Sequence, residues 1–177
     1  MAFGSNLIPE RIVGYRAYKA GKDLIGLVDA ELPKIQYITD AIKGAGILGE
    51  LETPTTGQTK ALKTKLTFRT NDSDMIGLLD CSGQDLELRH AVQKYDAAGG
   101  SRSFEQHRIV LRGFPTEGDF GKLESGASGG SSVELELVYF KYEIDGAVKV
   151  EIDKLNYKFV INGTDLLADV REALGLS

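Results

Sequence analysis

Tryptophan is absent from the 177 residues, and the chain has one cysteine, two histidines and four prolines. A lone Cys81 excludes an internal disulfide and any metal site built from several cysteines. His90 and His107 do not form a His-x-x-x-His pair, so no metal or other cofactor is expected. No run approaches the roughly 18 to 20 apolar residues of a membrane helix, and no stable membrane association is expected. Met1-Ala2-Phe3-Gly4-Ser5-Asn6 lacks a basic segment followed by an apolar one, which predicts folding in the cytosol. A net charge of −5 argues against a surface that grips nucleic-acid phosphates all round. With so little proline, the 21 glycines must make the turns. What is present, 42% hydrophobic and 27% charged residues, is ordinary for a globular chain and excludes a disordered or collagen-like one. The length suits a single domain covering residues 1–177.

The dominant period is two. Val133, Leu135, Leu137 and Tyr139 share one face, with Glu134 and Glu136 opposite. Lys63–Thr70 alternates in the same way, which is the pattern of half-buried strands. The pattern recurs at Arg11–Tyr18, Leu24–Leu32, Asp85–Tyr95, Phe104–Gly113, Ala147–Ile152 and Leu155–Ile161. Turn signals separate these runs at Ala20-Gly21-Lys22, Gly99-Gly100, Asp145-Gly146 and Asn162-Gly163. Two segments read as helix. Asp72-Ser73-Asp74 can cap a turn carrying Met75, Ile76, Leu78 and Leu79. Thr164 or Asp165 can cap Leu166–Leu174, whose stripe of Leu166, Leu167, Val170 and Leu174 should pack on the strands. Val170→Asp is then expected to cost several kcal/mol through a buried charge. The fold class is mainly β: an antiparallel sandwich or barrel with a short helix and a C-terminal helix.

Residues 33–58 do not fit a compact sandwich. Gly44, Gly46, Gly49, Pro54 and Gly57 interrupt the stretch, yet Ile42, Ile47, Leu48 and Leu51 are too apolar for a solvated linker. It reads as a long arm that wants a surface its own domain does not supply. Glu124–Ser132, with Gly126, Gly129 and Gly130, reads as a flexible surface loop.

Little in the sequence suggests catalysis. Gly44-Ala45-Gly46-Ile47-Leu48-Gly49 matches G-x-G-x-x-G but lacks the preceding buried strand and the following helix. Glu50-Leu51-Glu52-Thr53-Pro54 alternates like a strand instead, and Glu50 and Glu52 would repel a phosphate there. No Gly-x-Ser-x-Gly elbow supports a triad. Glu134/Glu136 and Asp85/Glu87 read as solvated acidic stripes. Cys81 reads as a small buried hydrophobe, and His107 as a surface or interface residue. A carbohydrate- or protein-binding sandwich would usually show an aromatic platform, but the aromatic residues here are scattered.

Segments in order along the chain resemble the major tail tube protein of contractile-tailed bacteriophages. They begin with Ile8-Pro9-Glu10, Asp29-Ala30-Glu31-Leu32-Pro33 and the glycine-rich arm through Gly57. Leu88-Arg89, Tyr95-Asp96-Ala97-Ala98 and Val110-Leu111-Arg112-Gly113 continue the match. The most specific part is the tail, from Tyr142-Glu143-Ile144-Asp145-Gly146 through Glu151–Tyr157 and Asn162-Gly163 to Asp165–Arg171 and Ala173-Leu174-Gly175-Leu176. Phe114-Pro115 and Gly129-Gly130 look like loop variation.

The resemblance implies a tube subunit without enzymatic activity, six copies to a ring, and stacked rings that form a continuous β-barrel lumen. DNA would be delivered through that lumen into the host. The partners it implies are other copies of the chain, a tail sheath protein outside, a tape measure protein and DNA inside, and baseplate and tail terminator proteins at the ends. The location it implies is the virion tail, assembled in host cytoplasm. The same pattern serves headless contractile particles, namely R-type bacteriocins, and more distantly type VI secretion tubes. Six copies at −5 each would give a ring about −30, which suits a wall that must not hold DNA. At least one of the pairs Glu50/Glu52 and Glu134/Glu136 is expected to face the lumen, with Lys63, Lys65 and Arg69 in a different environment. The C-terminal helix is expected on the outside, toward the sheath.

Overall fold

The computed structural model describes residues 6–20, 23–26 and 28–176. Among these residues the strands are β1 (Leu7–Lys19), β2 (Asp23–Ile25), β3 (Val28–Glu31), β4 (Tyr37–Lys43), β5 (Glu50–Thr59), β6 (Lys63–Phe68), β7 (Gln84–Asp96), β8 (Arg102–Asp119), β9 (Ser131–Ile144), β10 (Ala147–Asp153), β11 (Lys158–Ile161) and β12 (Thr164–Asp165). The helices are α1 (Ser73–Gly77) and α2 (Ala168–Ala173). The chain is mainly β, as its alternation predicts. One sheet runs β12-β11-β10-β9-β8-β7-β1-β2, antiparallel at every step, with β6 also on β9 and β3 on β6. β4 and β5 form a separate two-stranded sheet.

The long strand β9 joins two halves of this sheet. Its first half pairs with β6 and its second with β10, while β8 lies along its other edge throughout. Between the halves the register slips: Arg112 faces Tyr139 and Gly113 faces Leu137, so Val138 has no counterpart on β8. That bulge reverses the alternation. Val133, Leu135 and Leu137 point inward before it, and Phe140 and Tyr142 after it. Both halves can therefore contribute to one core, in which Leu66 and Phe68 join Leu86, Leu88, Ile109, Leu111, Ile152 and Phe159. Gly113 is needed at the slip, because a Cβ there would collide with the Glu136 carbonyl.

The expected turns follow glycine chemistry. Asp145 and Gly146 take φ of +46° and +78°, and Asn162 and Gly163 take +48° and +83°, the left-handed pairs that close two-residue hairpins. Asp72 caps α1 by accepting a hydrogen bond from the Met75 amide at 2.8 Å, and Met75 and Leu78 are buried beneath it. Of the turn Ala20-Gly21-Lys22, Gly21 and Lys22 lie outside the described residues.

Several boundaries differ from the sequence reading. The run Leu24–Leu32 holds two strands, β2 and β3, the first ending at Ile25 and the second starting at Val28, with Leu27 outside the described residues. Leu155–Tyr157 is a turn instead of strand, because the Asp153 carboxylate accepts from the amides of Leu155 (3.1 Å) and Asn156 (3.0 Å). Phe114-Pro115 is part of β8 and not a loop, with a second bulge after Pro115 absorbing the proline. Ser131 and Ser132 begin β9 and are buried, so the glycine-rich loop ends at Gly130. Cys81 is exposed rather than buried, since it lies in the irregular link between α1 and β7.

Candidate assembly surfaces

The segment read as a long arm is a β-hairpin. β4 and β5 pair from Tyr37↔Thr59 to Lys43↔Glu50, and the ion pair Lys43–Glu50 (2.9 Å) closes the tip. Gly46 and Gly49 take φ of +97° and +98° in that tip, which a side chain would oppose. Pro54 sits on β5, where a two-stranded sheet offers it a free edge. The apolar residues Ile42, Ile47, Leu48 and Leu51 all remain exposed in the subunit, Leu48 fully at 107%. The root is different: Tyr37 meets the Phe159 ring at 6.0 Å between centroids, and Gly57 lies so close to Leu167 that a Cβ would overlap it. The hairpin is therefore anchored on the β11 and α2 side, and its tip is uncovered.

The second uncovered surface is β1. It pairs with β7 over its whole length, but with β2 only from Ala17 to Lys19. Among the described residues, the backbone edge from Leu7 to Gly14 has no partner strand. Leu7, Ile8, Ile12 and Val13 stand exposed along it. A long apolar edge of this kind is a template for pairing with another chain.

The acidic pairs occupy different settings. Glu50 and Glu52 ride on the hairpin, exposed. Glu134 and Glu136 lie on the wet face of β9, and that face also carries Lys63 and Lys65, their register partners on β6. The basic face expected elsewhere is thus the same face, because antiparallel pairing sets β6 side chains directly beside those of β9. Lys63 bonds Glu134 at 2.6 Å and holds its carboxyl below the usual range. Glu136 pairs with Lys154 at 2.8 Å and accepts from the Leu62 amide.

α2 is shorter than the predicted helix, and its stripe is largely uncovered. Leu167, just before the helix, is 7% exposed and packs on the core, whereas Val170 keeps 37% and Leu174 55%, and Leu166 is exposed too. The reason is the tie at Asp165, which accepts from the Leu167 amide (3.1 Å) and pairs with Arg171 (2.6 Å). It orients the helix so that one leucine enters the core. Val170→Asp therefore introduces no buried charge.

Two features escaped the sequence reading. Glu87 is not a solvated acid: it is 5% exposed, bonded by Arg108 (2.7 Å) and by Arg89. Arg108, then Arg89, hold its carboxyl below the ordinary range against the effect of burial. Arg108 continues to Glu143 (3.3 Å) and Glu143 to Lys141 (2.8 Å), an ion-pair row across β7, β8 and β9. The partner two residues along, Arg89, was the available signal. His107 is also no surface residue. It is 9% exposed, stacks on His90 at 4.6 Å, and bonds the Tyr142 hydroxyl (2.7 Å) and Glu105 (2.9 Å). Burial lowers the pKa of both histidines.

Among the described residues no group of three His, Cys, Asp or Glu side chains is placed to hold a metal, and no helix is long and apolar enough to cross a membrane. The arrangement offers surfaces for pairing and ion-pair rows for rigidity.

A family model described as phage tail tube protein FII matches residues 9–175. The chain is 29% identical over 148 residues to the tail tube protein of Escherichia phage P2, covering 82% of this chain and 84% of that protein. It is 26% identical over 171 residues to the major tail tube protein of Serratia phage KSP20, covering 96% and 98%. Its fold resembles the sheath/tube terminator of an extracellular contractile injection system, with a TM-score of 0.52 at 14% identity, covering 77% of this chain and 97% of that one.

Proposed function

Given that this chain belongs to the phage tail tube protein FII family, a family of structural subunits and not of enzymes, we propose that it forms six-membered rings that stack into the inner tube of a contractile phage tail. The lumen is the conduit through which DNA enters the host. The tail sheath protein surrounds the tube, the tape measure protein and DNA occupy its lumen, and baseplate and tail terminator proteins bind its ends. Assembly takes place in the host cytoplasm. The observation that carries this reading is the exposure, in the single subunit, of Ile42, Ile47, Leu48 and Leu51 on the hairpin and of the β1 edge. Each aliphatic side chain buried on assembly contributes about 1.5 to 3 kcal/mol.

Residues 33–58 act as the assembly arm in this reading. Of the two acidic pairs we assign Glu134/Glu136 to the lumen, because Glu50/Glu52 ride on the arm. Lys63 and Lys154 go with them, so the wall presents paired charges to DNA and neither a bare acidic nor a bare basic surface. α2 faces outward with Val170 and Leu174 within reach of the sheath.

The test is electron microscopy of the purified chain beside a variant in which residues 40–51 are replaced by a short Gly/Ser link. The full chain is expected to form rings and tubes. The shortened chain should keep its strand content by circular dichroism and form none, because the root contacts of Tyr37 and Gly57 lie outside the deletion. A compact monomer for the full chain, or tubes of normal length for the shortened one, overturns the reading. A micrograph of the parent particle, with or without a capsid, separates a phage tail from a headless contractile particle.

A further inference from the structure

Arginines stand side by side on the sheet face that turns away from the core. Arg16 of β1 is the register partner of Arg89 of β7, and Arg89 is that of Arg108 of β8. Like charges directly opposite each other destabilise a sheet, and here the clash occurs twice in succession. Two carboxylates offset it in part. The buried Glu87 accepts from Nε of Arg89 and from one terminal nitrogen of Arg108 (2.7 Å), and the other terminal nitrogen of Arg108 reaches Glu143 at 3.3 Å. Both terminal nitrogens of Arg89 are left without a partner, and Arg16 makes no ion pair among the described residues. With Lys141, which pairs with Glu143, four cations meet two carboxylates, a net +2.

The row borders a recess of about 660 Å³ whose lining includes Gly14, Ala91, Gln106 and Gly146. Small residues keep it open: a Cβ at Gly14 would meet nothing within 4 Å. Glu87 on one side and the Tyr18 ring, 5.1 Å from the guanidinium, hold Arg89 in place, while Arg89 and Arg108 stay about half exposed. We infer that the row Arg16–Arg89–Arg108 is a binding site for a phosphate group, held by the free terminal nitrogens of Arg16 and Arg89. A planar guanidinium fork matches phosphate oxygens in pairs, and the anion removes the like-charge clash. The phosphate can come from free inorganic phosphate or from the backbone of duplex DNA. The row shares its face with Glu134 and Glu136, because the bulge at Val138 keeps Lys141 and Glu143 on their side of the sheet. On the lumen reading above DNA is then the source, and only this source rests on that reading. Glu87 and Glu143 repel the same phosphate, so the contact is one that moving DNA can exchange.

Arginine modification resolved by residue tests the site. The full chain is treated with phenylglyoxal, in inorganic phosphate or in sodium chloride of equal ionic strength, and each arginine is followed by mass spectrometry. Phosphate is expected to slow modification of Arg16 and Arg89 and to leave Arg69, exposed just after β6, unchanged. Arg16→Gln breaks no ion pair, so its urea midpoint should stay or rise, while the phosphate concentration that half-protects Arg89 rises about fivefold, the upper end for an exposed pair. Equal slowing at Arg69, no slowing anywhere, or a lower midpoint with unchanged protection of Arg89 overturns the site. So does a row shielded in tubes without phosphate but reactive in dispersed subunits, since another copy then covers it. In a second arm duplex DNA replaces inorganic phosphate. Protection at a far lower concentration of phosphate groups supports the DNA source; protection by inorganic phosphate alone keeps the site and overturns that source. Microscopy of the same preparation keeps the two readings apart: protection in a chain that forms no tubes leaves the site standing and removes the tube.

Discussion

The two histidines give a pH dependence whose direction follows from their burial. His90 and His107 titrate below the ordinary histidine value because burial disfavours their charged forms. For His90 the neighbouring His107 adds to this, and for His107 the opposing charge of Asp145 is offset in part by Lys94. The unfolded chain therefore binds protons that the folded chain does not. The stabilisation is complete above about pH 6.5, the ordinary histidine value, and is lost as pH falls through it. Glu87 and Glu143 are shifted downward by arginine and lysine, so their contribution persists until pH falls into and below the ordinary carboxylate range. The interval from pH 7 to 5 thus isolates the histidines. Urea unfolding should show a midpoint that falls across it, and His90→Phe should flatten the slope while keeping a ring on His107. A pH-independent midpoint in the parent chain would count against the buried-pair account. At Glu87 the expected loss is larger than at any exposed acid. Glu87→Ala should cost about 1–2 kcal/mol in the same assay, the range for bonds to charged groups reduced because Arg89 and Arg108 are half exposed and can be rehydrated. Glu52→Ala, on the exposed hairpin, should change stability little.

Individual elements were legible where local chemistry decides them. The Asp-Gly and Asn-Gly turns, the Asp72 cap and the alternating strands are set by residues close in sequence, and they are where the alternation and turn signals put them. Elements governed by distant partners were not. The hairpin of β4 and β5 was legible only in part: Glu50–Pro54 alternates like a strand, as β5 is, but β4 was hidden because an exposed two-stranded ribbon has no buried face to impose alternation, and among its strand residues none is fully buried. The bulge at Val138 was invisible because it is defined by Arg112 and Gly113, more than twenty residues away. α2 shows the same limit: its stripe is correctly periodic, yet only Leu167 finds the core. Two substitutions separate these roles. Val170→Asp should leave subunit stability within about 0.5 kcal/mol, as is usual for a surface site, whereas Leu167→Ala should cost about 2–4 kcal/mol by opening a cavity between the core and the hairpin root. Gly57→Ala attacks the same root from the other side. Its φ of +69° and its closeness to Leu167 both oppose a methyl group, so a loss of about 1–3 kcal/mol is expected in denaturant titration.

At the scale of the whole molecule, the sequence lacked the means to show which surfaces meet. Period two assigns residues to a face, but the meaning of a face depends on what covers it. Glu134 and Glu136 looked like bare acid in isolation, and the pairing of β6 with β9 supplies the lysine. The family resemblance, by contrast, was carried by ordered segments along the chain and needed no geometry. The long ladder between β8 and β9 has a further, mechanical consequence. Both halves of the sheet share these strands, from His107↔Ile144 to Asp119↔Ser132. Antiparallel hydrogen bonds lie across the strand direction, so a pull along β8 or β9 loads them side by side. They must then rupture together, where a pull at right angles would open them one after another like a zip. In the proposed tube, contacts at the hairpin and at the β1 edge would load this ladder from its two sides, since β11 lies beyond β9 and β1 beyond β8 in the sheet order. Load passed that way would meet a stiff strut, bent at the bulges beside Val138 and after Pro115.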